Sequence, residues 1–110
     1  MWIGLNDGWL SIVENRNDED TLLVRARAMK DLTNAFPHCD WFEDENADYR
    51  YRAYIDRKEV AKQISDRILN IDYDNFKASV EAGYLSALYN SLWRSVYLHY
   101  QLHSEKAHGR

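Results

Sequence analysis

The sequence is poor in the residues that mark several classes of protein. It has one cysteine, one proline and four glycines among 110 residues. A single cysteine excludes an internal disulfide, and so few glycines and prolines exclude collagen-like and low-complexity chains. No apolar run approaches the roughly 18 residues that mark a membrane-spanning helix, and the first residues lack the pattern of a signal peptide. We therefore expect a cytoplasmic globular protein with no membrane association.

Recognisable catalytic and cofactor motifs are also absent. The sequence contains no Gly-x-Gly-x-x-Gly, no Gly-Lys-Thr/Ser and no Gly-x-Ser-x-Gly. His99 and His103 have the spacing of two metal ligands on one helix, but a zinc site typically needs three protein ligands. Cys39 follows His38 without a third catalytic partner at a recognisable spacing. We expect no enzyme activity, no metal and no cofactor, and a small enzyme with an unrecognised site is the alternative.

What remains is the composition of an ordinary globular domain. The chain is 45% hydrophobic, 14% aromatic and 29% charged, with a formal net charge of -4. Its length fits one domain. An acidic balance favours a protein partner over direct binding of nucleic acid.

Alternating apolar and polar residues predict the strands. Two short apolar runs flank Asn6-Asp7-Gly8, which is a typical hairpin signal, although one strand with a glycine bulge is the alternative. Residues 21–27 and 49–55 alternate as two further half-buried strands. In the second of these, Tyr49 is expected to share a face with Ala53.

Helical periodicity predicts a helix after each of these two strands. Residues 29–36 form the first, which ends before Pro37. Asp56 and Glu59 have the spacing of a capping box at the start of the second. The apolar face of that second helix is Val60, Ile64, Ile68 and Ile71.

Two more helices complete the predicted order. Asp72 is expected to cap a short helix that ends at Gly83, and a long final helix runs from about residue 84 to 102. These elements predict an α+β fold: a small three- or four-stranded sheet, formed by the N-terminal hairpin and two strand-helix units, with helices on one face and a long C-terminal helix. We assign residues 1–103 to a single domain and residues 104–110 to a polar C-terminal tail.

The final helix carries two adjacent stripes. The expected core stripe is Leu85, Leu88, Leu92, Val96 and His99, and beside it lies an aromatic stripe of Tyr89, Trp93, Tyr97 and Tyr100. Tyrosine and tryptophan dominate binding hot spots. The aromatic stripe therefore predicts a partner-binding surface, most simply in a symmetric homodimer, unless the small domain packs against both stripes.

A second candidate surface is acidic. Its carboxylates are Asp40, Glu43, Asp44, Glu45 and Asp48, and the segment includes Trp41 and Phe42. Such groups can occupy a cleft evolved for phosphate. This pattern indicates a binding protein that acts by occluding its partner, in the manner of a phage or mobile-element inhibitor of a nucleic-acid-handling defence complex, such as an anti-CRISPR protein.

A third candidate surface is basic. Alternation places Arg25, Arg27, Arg50 and Arg52 on one side of the two middle strands, here called the arginine face. Arginine suits bidentate recognition of phosphate or carboxylate. The alternative function is thus binding of nucleic acid or a small anionic ligand on this face, unless the acidic loops lie beside it and neutralise it.

Several sequence blocks resemble a family of small uncharacterised bacterial proteins. The blocks are Met1-Trp2-Ile3, Ser11-Ile12-Val13, Val24-Arg25-Ala26-Arg27, Asp48-Tyr49-Arg50-Tyr51-Arg52-Ala53 and Asp72-Tyr73-Asp74-Asn75-Phe76-Lys77. They are scattered over roughly residues 1 to 100. The resemblance implies no known activity and no catalytic residue.

Overall fold

The computed structural model of the protein describes the backbone of residues 1–107 and the side chains of residues 1–104. Its centre is one antiparallel sheet of five strands in the order β1-β2-β3-β5-β4. The strands are β1 (Trp2–Leu5), β2 (Gly8–Glu14), β3 (Thr21–Ala26), β4 (Phe42–Glu43) and β5 (Tyr51–Asp56). The predicted α+β class and the N-terminal hairpin are confirmed.

The sheet has one strand more than the upper limit of the prediction. The additional strand is β4, which lies within the acidic segment and pairs Phe42 with Arg52 and Glu43 with Tyr51. Its two residues are too few to show an alternating pattern, which is why sequence periodicity predicts a loop there.

Two helices cover one face of the sheet. They are α1 (Met29–Ala35) and α2 (Arg57–Leu69). The core that they enclose with the strands is centred on fully buried aliphatic side chains: Leu10, Val24, Ala26, Leu32 and Ala53. Among them, Val24, Ala26 and Ala53 lie on the strand face that the alternation predicts.

Helix α2 begins differently from the prediction and packs less of its apolar face. Asp56 makes no capping hydrogen bond through its side chain, and Glu59 accepts instead from Gln63 one turn later at 3.0 Å. Val60 is buried, whereas Ile68 is exposed. A groove of about 630 Å³ between α2 and the sheet leaves the later turns of the helix incompletely packed. Ile71, predicted on the same face, is exposed beyond the end of the helix.

The last two helices begin at other residues than predicted. The cap of α3 (Phe76–Ser79) is Asn75 rather than Asp72, because the Asn75 side chain accepts from the backbone N–H of Ala78 at 3.1 Å. Gly83 does not end a helix but begins α4 (Gly83–Ala107). Helix α4 includes residues 104–107 of the predicted tail, and residues 108–110 lie outside the described residues.

The long final helix gives the molecule an elongated shape. The principal extents of the molecule are 50 × 31 × 29 Å, and the radius of gyration of its Cα atoms is 16.3 Å. A compact chain of this length has a radius of gyration of about 13 Å. None of the described helices is both long and apolar enough to cross a bilayer.

Candidate functional site

Only the first part of α4 is packed into the domain. Leu85 and Tyr89 are buried with Val80, against Phe76 of α3 and Trp9 of β2. From residue 93 to residue 104, every residue of the helix is exposed. The predicted core stripe thus ends at the half-buried Leu92 and excludes Val96 and His99, which are exposed on the part of α4 that extends beyond its packed region.

Tyr89 fixes the position of α4 on the hairpin. Its hydroxyl lies 2.7 Å from the backbone oxygen of Leu5 and 2.9 Å from that of Gly8, and these two acceptors share its one proton. Gly4 lies beneath the ring, where an added Cβ would be 3.2 Å from Tyr89 Cε1. Burial raises the pKa of the Tyr89 hydroxyl, with a smaller contribution from the negative charge of Asp31. This residue of the predicted aromatic stripe is therefore an internal anchor.

The other members of that stripe form one exposed surface with Val96. We call Trp93, Val96, Tyr97 and Tyr100 the distal stripe. Trp93 is 56% exposed, Tyr97 53% and Tyr100 69%. The rings of Trp93 and Tyr97 are stacked, with centroids 5.5 Å apart and planes 9° apart. Side chains on successive turns are thus already aligned to present a continuous apolar surface.

A groove runs between the distal stripe and α3. It has a volume of about 900 Å³ and is lined by all four residues of the stripe, together with Phe76 and Lys77. The ammonium group of Lys77 lies 4.5 Å from the centre of the Trp93 ring. A cation over an aromatic face holds the ring in place without burying it.

The acidic segment forms a folded edge of the sheet rather than a free loop. Glu43 Oε2 accepts from both Nε and Nη2 of Arg50, at 3.1 and 2.9 Å, and Glu45 accepts from Arg50 Nη2 at 3.4 Å. The nearby Glu43 carboxylate raises the pKa of the Arg50 guanidinium above its ordinary value. The backbone oxygen of Arg50 accepts from the N–H of Asp44 at 2.8 Å. Asp40 and Asp48 are exposed, and Asp44 is half-buried.

The acidic segment and the distal stripe are not neighbours. The acidic segment surrounds β4 at one edge of the sheet, while α4 is anchored on the β1–β2 hairpin at the other. The two predicted protein-binding surfaces therefore do not merge into one.

The arginine face contains three of its four predicted members. Arg25 and Arg52 are directly opposite each other on β3 and β5. Arg25 and Arg27 both lie over the ring of Tyr49, with guanidinium carbons 4.7 and 4.9 Å from its centre. Tyr49 is thus on the face opposite to the predicted one, because it precedes β5 and the alternation does not extend to it.

Arg50 also precedes β5, and its guanidinium pairs with the acidic segment. The predicted neutralisation by the acidic segment therefore occurs at Arg50. Within the part of the chain whose side chains are described, Arg25, Arg27 and Arg52 have no carboxylate within ion-pair distance. Arg25 Nη2 donates to Ser11 Oγ at 2.8 Å instead.

One buried carboxylate is not indicated by the sequence pattern. Asp31 of α1 is 4% exposed, and its carboxylate accepts from the backbone N–H of Trp9 and from the hydroxyl of Tyr84. Burial and the hydrogen bond to Asp31 raise the pKa of Tyr84 to about 12. An aspartate in the first turn of a short helix is common on protein surfaces, so only the fold reveals this connection between α1, β2 and α4.

Groups with metal or nucleophilic chemistry are sparse. Among the residues whose side chains are described, no three or more histidine, cysteine or acidic side chains are grouped to hold a metal ion. The rings of His99 and His103 lie 4.4 Å apart on the exposed part of α4. Burial raises the pKa of the half-buried Cys39 thiol, which lowers its thiolate fraction at neutral pH.

Comparison of this chain with family models, with curated proteins and with solved structures finds no match.

Proposed function

We propose that this protein is a non-enzymatic binding module that works through protein–protein contact, and that its distal stripe docks on the same stripe of a second copy. The observation that carries the proposal is the contrast within α4, where Tyr89 is 5% exposed and Tyr100 is 69% exposed. One continuous helix is anchored in the domain at one end and presents bare aromatic rings at the other.

The size of the exposed apolar surface supports docking. Trp93, Tyr97 and Tyr100 together expose roughly 350 Å², taking about 200 Å² for each full aromatic side chain. Val96 adjoins them and adds to this area. This area is in the range of the largest contiguous apolar patch on a typical soluble protein, about 300 to 600 Å², and such a patch is often functional.

The charge pattern supports a second copy as the partner. Between residues 84 and 104, Arg94 is the only charged residue apart from histidine. It lies about 100° around the helix from Trp93, next to the stripe rather than within it. Two such helices can pack together in a twofold arrangement with little repulsion between like charges, and each stripe then covers the other.

Analytical ultracentrifugation tests this proposal. We expect the wild-type mass to rise from monomer to dimer with concentration, and the double variant Trp93→Ser/Tyr97→Ser to remain monomeric. The matched control is Leu98→Ser, because Leu98 is similarly exposed but lies about 140° around the helix from Trp93. A wild-type protein that is monomeric at every concentration would refute the proposal, as would equal loss of dimer in the control.

A second candidate function rests on the fixed shape of the acidic segment. The pairing of β4 with β5 holds Asp40 and Asp48 beside an exposed sheet edge, where they can enter the basic cleft of a nucleic-acid-handling defence complex. An anti-CRISPR-like inhibitor would act in this way.

The test adds the protein to purified CRISPR effector complexes and measures their binding of target DNA. Asp40→Lys/Asp48→Lys should abolish inhibition without breaking the ion pairs of Arg50. Asp72→Lys/Asp74→Lys, on the exposed segment before α3, makes the same change in net charge and is the control. Absence of inhibition by the wild type, or full inhibition by the double variant, would contradict this function.

A further inference from the structure

A single row of side chains crosses all five strands on the arginine face. The strand register places Trp2 beside Ser11, Ser11 beside Arg25, Arg25 beside Arg52, and Arg52 beside Phe42. Residues paired directly across antiparallel strands point to the same face. With strands about 4.8 Å apart, the row is about 19 Å long.

The centre of this row is a pair of positive charges that no described carboxylate neutralises. Like charges directly opposite on neighbouring strands destabilise a sheet. The Nε atoms of Arg25 and Arg52 are buried and have no hydrogen-bond partner within the described residues. Arg27 follows on the same face, also without an ion pair among the described side chains. An anion bound over these guanidinium groups would supply the missing countercharge.

Aromatic rings adjoin the arginines. Phe42 and Tyr54 stack on each other, with centroids 5.8 Å apart and planes 27° apart, and they are 41% and 52% exposed. Trp2 at the other end of the row is exposed as well. Exposed aromatic rings on either side of arginines on one sheet face are the features on which the bases of single strands stack while their phosphates are neutralised.

The surroundings favour an extended ligand over a small one. The principal clefts of the described surface lie elsewhere, and none of them is lined by Arg25, Arg27 or Arg52. The net charge of -4 is that of the whole chain, and the local charge of the arginine face differs from it. The neighbouring carboxylates of Glu43 and Glu45 are already paired with Arg50. Local charge, rather than the total, determines the attraction of a phosphate backbone.

From this arrangement we infer that the protein binds single-stranded nucleic acid across the arginine face. Arg27 and Arg52 contact phosphates, the Phe42–Tyr54 pair stacks on bases, and Arg25 is a positioning residue held by Ser11 and Tyr49. The site is independent of the proposed dimer, since none of these residues belongs to α4.

Fluorescence anisotropy with a labelled oligodeoxythymidine of about 15 nucleotides tests the inference. We expect Arg27→Gln/Arg52→Gln to weaken binding at least tenfold and to reduce the slope of log affinity against log salt by about 1.4. Tyr54→Ala should weaken binding about five- to a hundredfold with the slope unchanged, because it removes stacking and no charge. Arg94→Gln on α4 is the control for lost positive charge and should bind as the wild type does.

Two further measurements separate a binding site from a merely structural pair of arginines. Arg52→Gln removes the repulsion from Arg25, so we expect its thermal midpoint to equal or exceed that of the wild type while its affinity falls. A duplex of the same length should bind more weakly than the single strand, because its bases are not free to stack. The inference fails if the wild type binds no oligonucleotide at about 50 mM salt. It also fails if Arg94→Gln weakens binding as much as Arg52→Gln, or if the duplex binds equally well.

Discussion

Arg67 of α2 donates from both of its Nη atoms to the carboxylate of Asp7 in the β1–β2 turn, at 2.8 and 3.0 Å. The same guanidinium donates to the backbone oxygen of Asn34 at the end of α1 at 3.0 Å. One side chain thus joins the hairpin to both helices on the covered face. It does so near the end of α2, where apolar packing against the sheet is incomplete.

The first prediction concerns this connection. Arg67→Ala should lower the free energy of unfolding by about 1 kcal/mol. The bidentate geometry strengthens the ion pair, but both side chains are partly exposed, so solvent screens their attraction. Lys62→Ala breaks the exposed pair with Asp66 one turn apart and should cost only about 0.3 to 0.5 kcal/mol. Urea denaturation at low and high salt measures both. Equal costs for the two variants would contradict a special role of Arg67.

The order and type of the elements follow from local pattern. Val24 and Ala53 are buried and Tyr54 is exposed, as alternation requires of strands with one covered face. Helix ends are less predictable, because several side chains at each end have the right chemistry. Asn75 caps α3 although Asp72 has an equally suitable side chain, and nothing in the local sequence distinguishes them.

A second prediction compares two apolar residues that both follow helical spacing. Leu32→Ala in α1 should cost about 2 to 5 kcal/mol, because its side chain is fully buried against the sheet. Ile68→Ala in α2 should stay within about 0.5 kcal/mol of the wild type, because Ile68 is largely exposed. Chemical denaturation of both variants checks this. A large loss of stability in Ile68→Ala would mean that α2 packs more closely than described.

A third prediction compares two glycines. A Cβ added at Gly8 would lie 2.8 Å from the backbone oxygen of Asp31 and 3.0 Å from its Cα, so Gly8→Ala must displace α1 and should cost about 1 to 3 kcal/mol. Nothing lies within 4 Å of such an atom at Gly83. Gly83→Ala should therefore be neutral or stabilise the protein by up to about 1 kcal/mol. Thermal unfolding distinguishes the two, and a destabilised Gly83→Ala would contradict this account.

The candidate sites could be predicted only in part from the sequence. The stripe from Tyr89 to Tyr100 has the same helical spacing and the same aromatic residues along its whole length. Which of its residues are buried depends on where the hairpin contacts α4, and the sequence does not show this. The arginines of the strands are visible from alternation, but which of the four arginines is paired with a carboxylate depends on the path of the acidic segment. Phe42 joins the arginine face only through β4, which is too short to recognise in the sequence.

The last prediction concerns the alkaline stability of the contact between α1 and α4. The pKa of Tyr84 is about 12 in the folded protein, against 10.0 for an ordinary tyrosine, and the pKa of Tyr89 is raised as well. Between pH 10.0 and about pH 12, the Tyr84 hydroxyl of the unfolded chain releases a proton that the folded chain retains. The contribution of the protonated Tyr84 hydroxyl to the free energy of unfolding is therefore fully present below about pH 10. It is lost as the pH rises towards about 12.

Urea unfolding over this range should show a falling free energy in the wild type and a shallower fall in Tyr84→Phe, which has no proton to release. At neutral pH the same variant should be less stable by about 1 kcal/mol, because the buried Asp31 carboxylate loses a donor. Tyr54→Phe is the control, since its hydroxyl makes no hydrogen bond within the described part of the chain, and it should follow the wild-type profile. An identical alkaline fall in wild type and Tyr84→Phe would show that the Tyr84–Asp31 contact does not govern stability there.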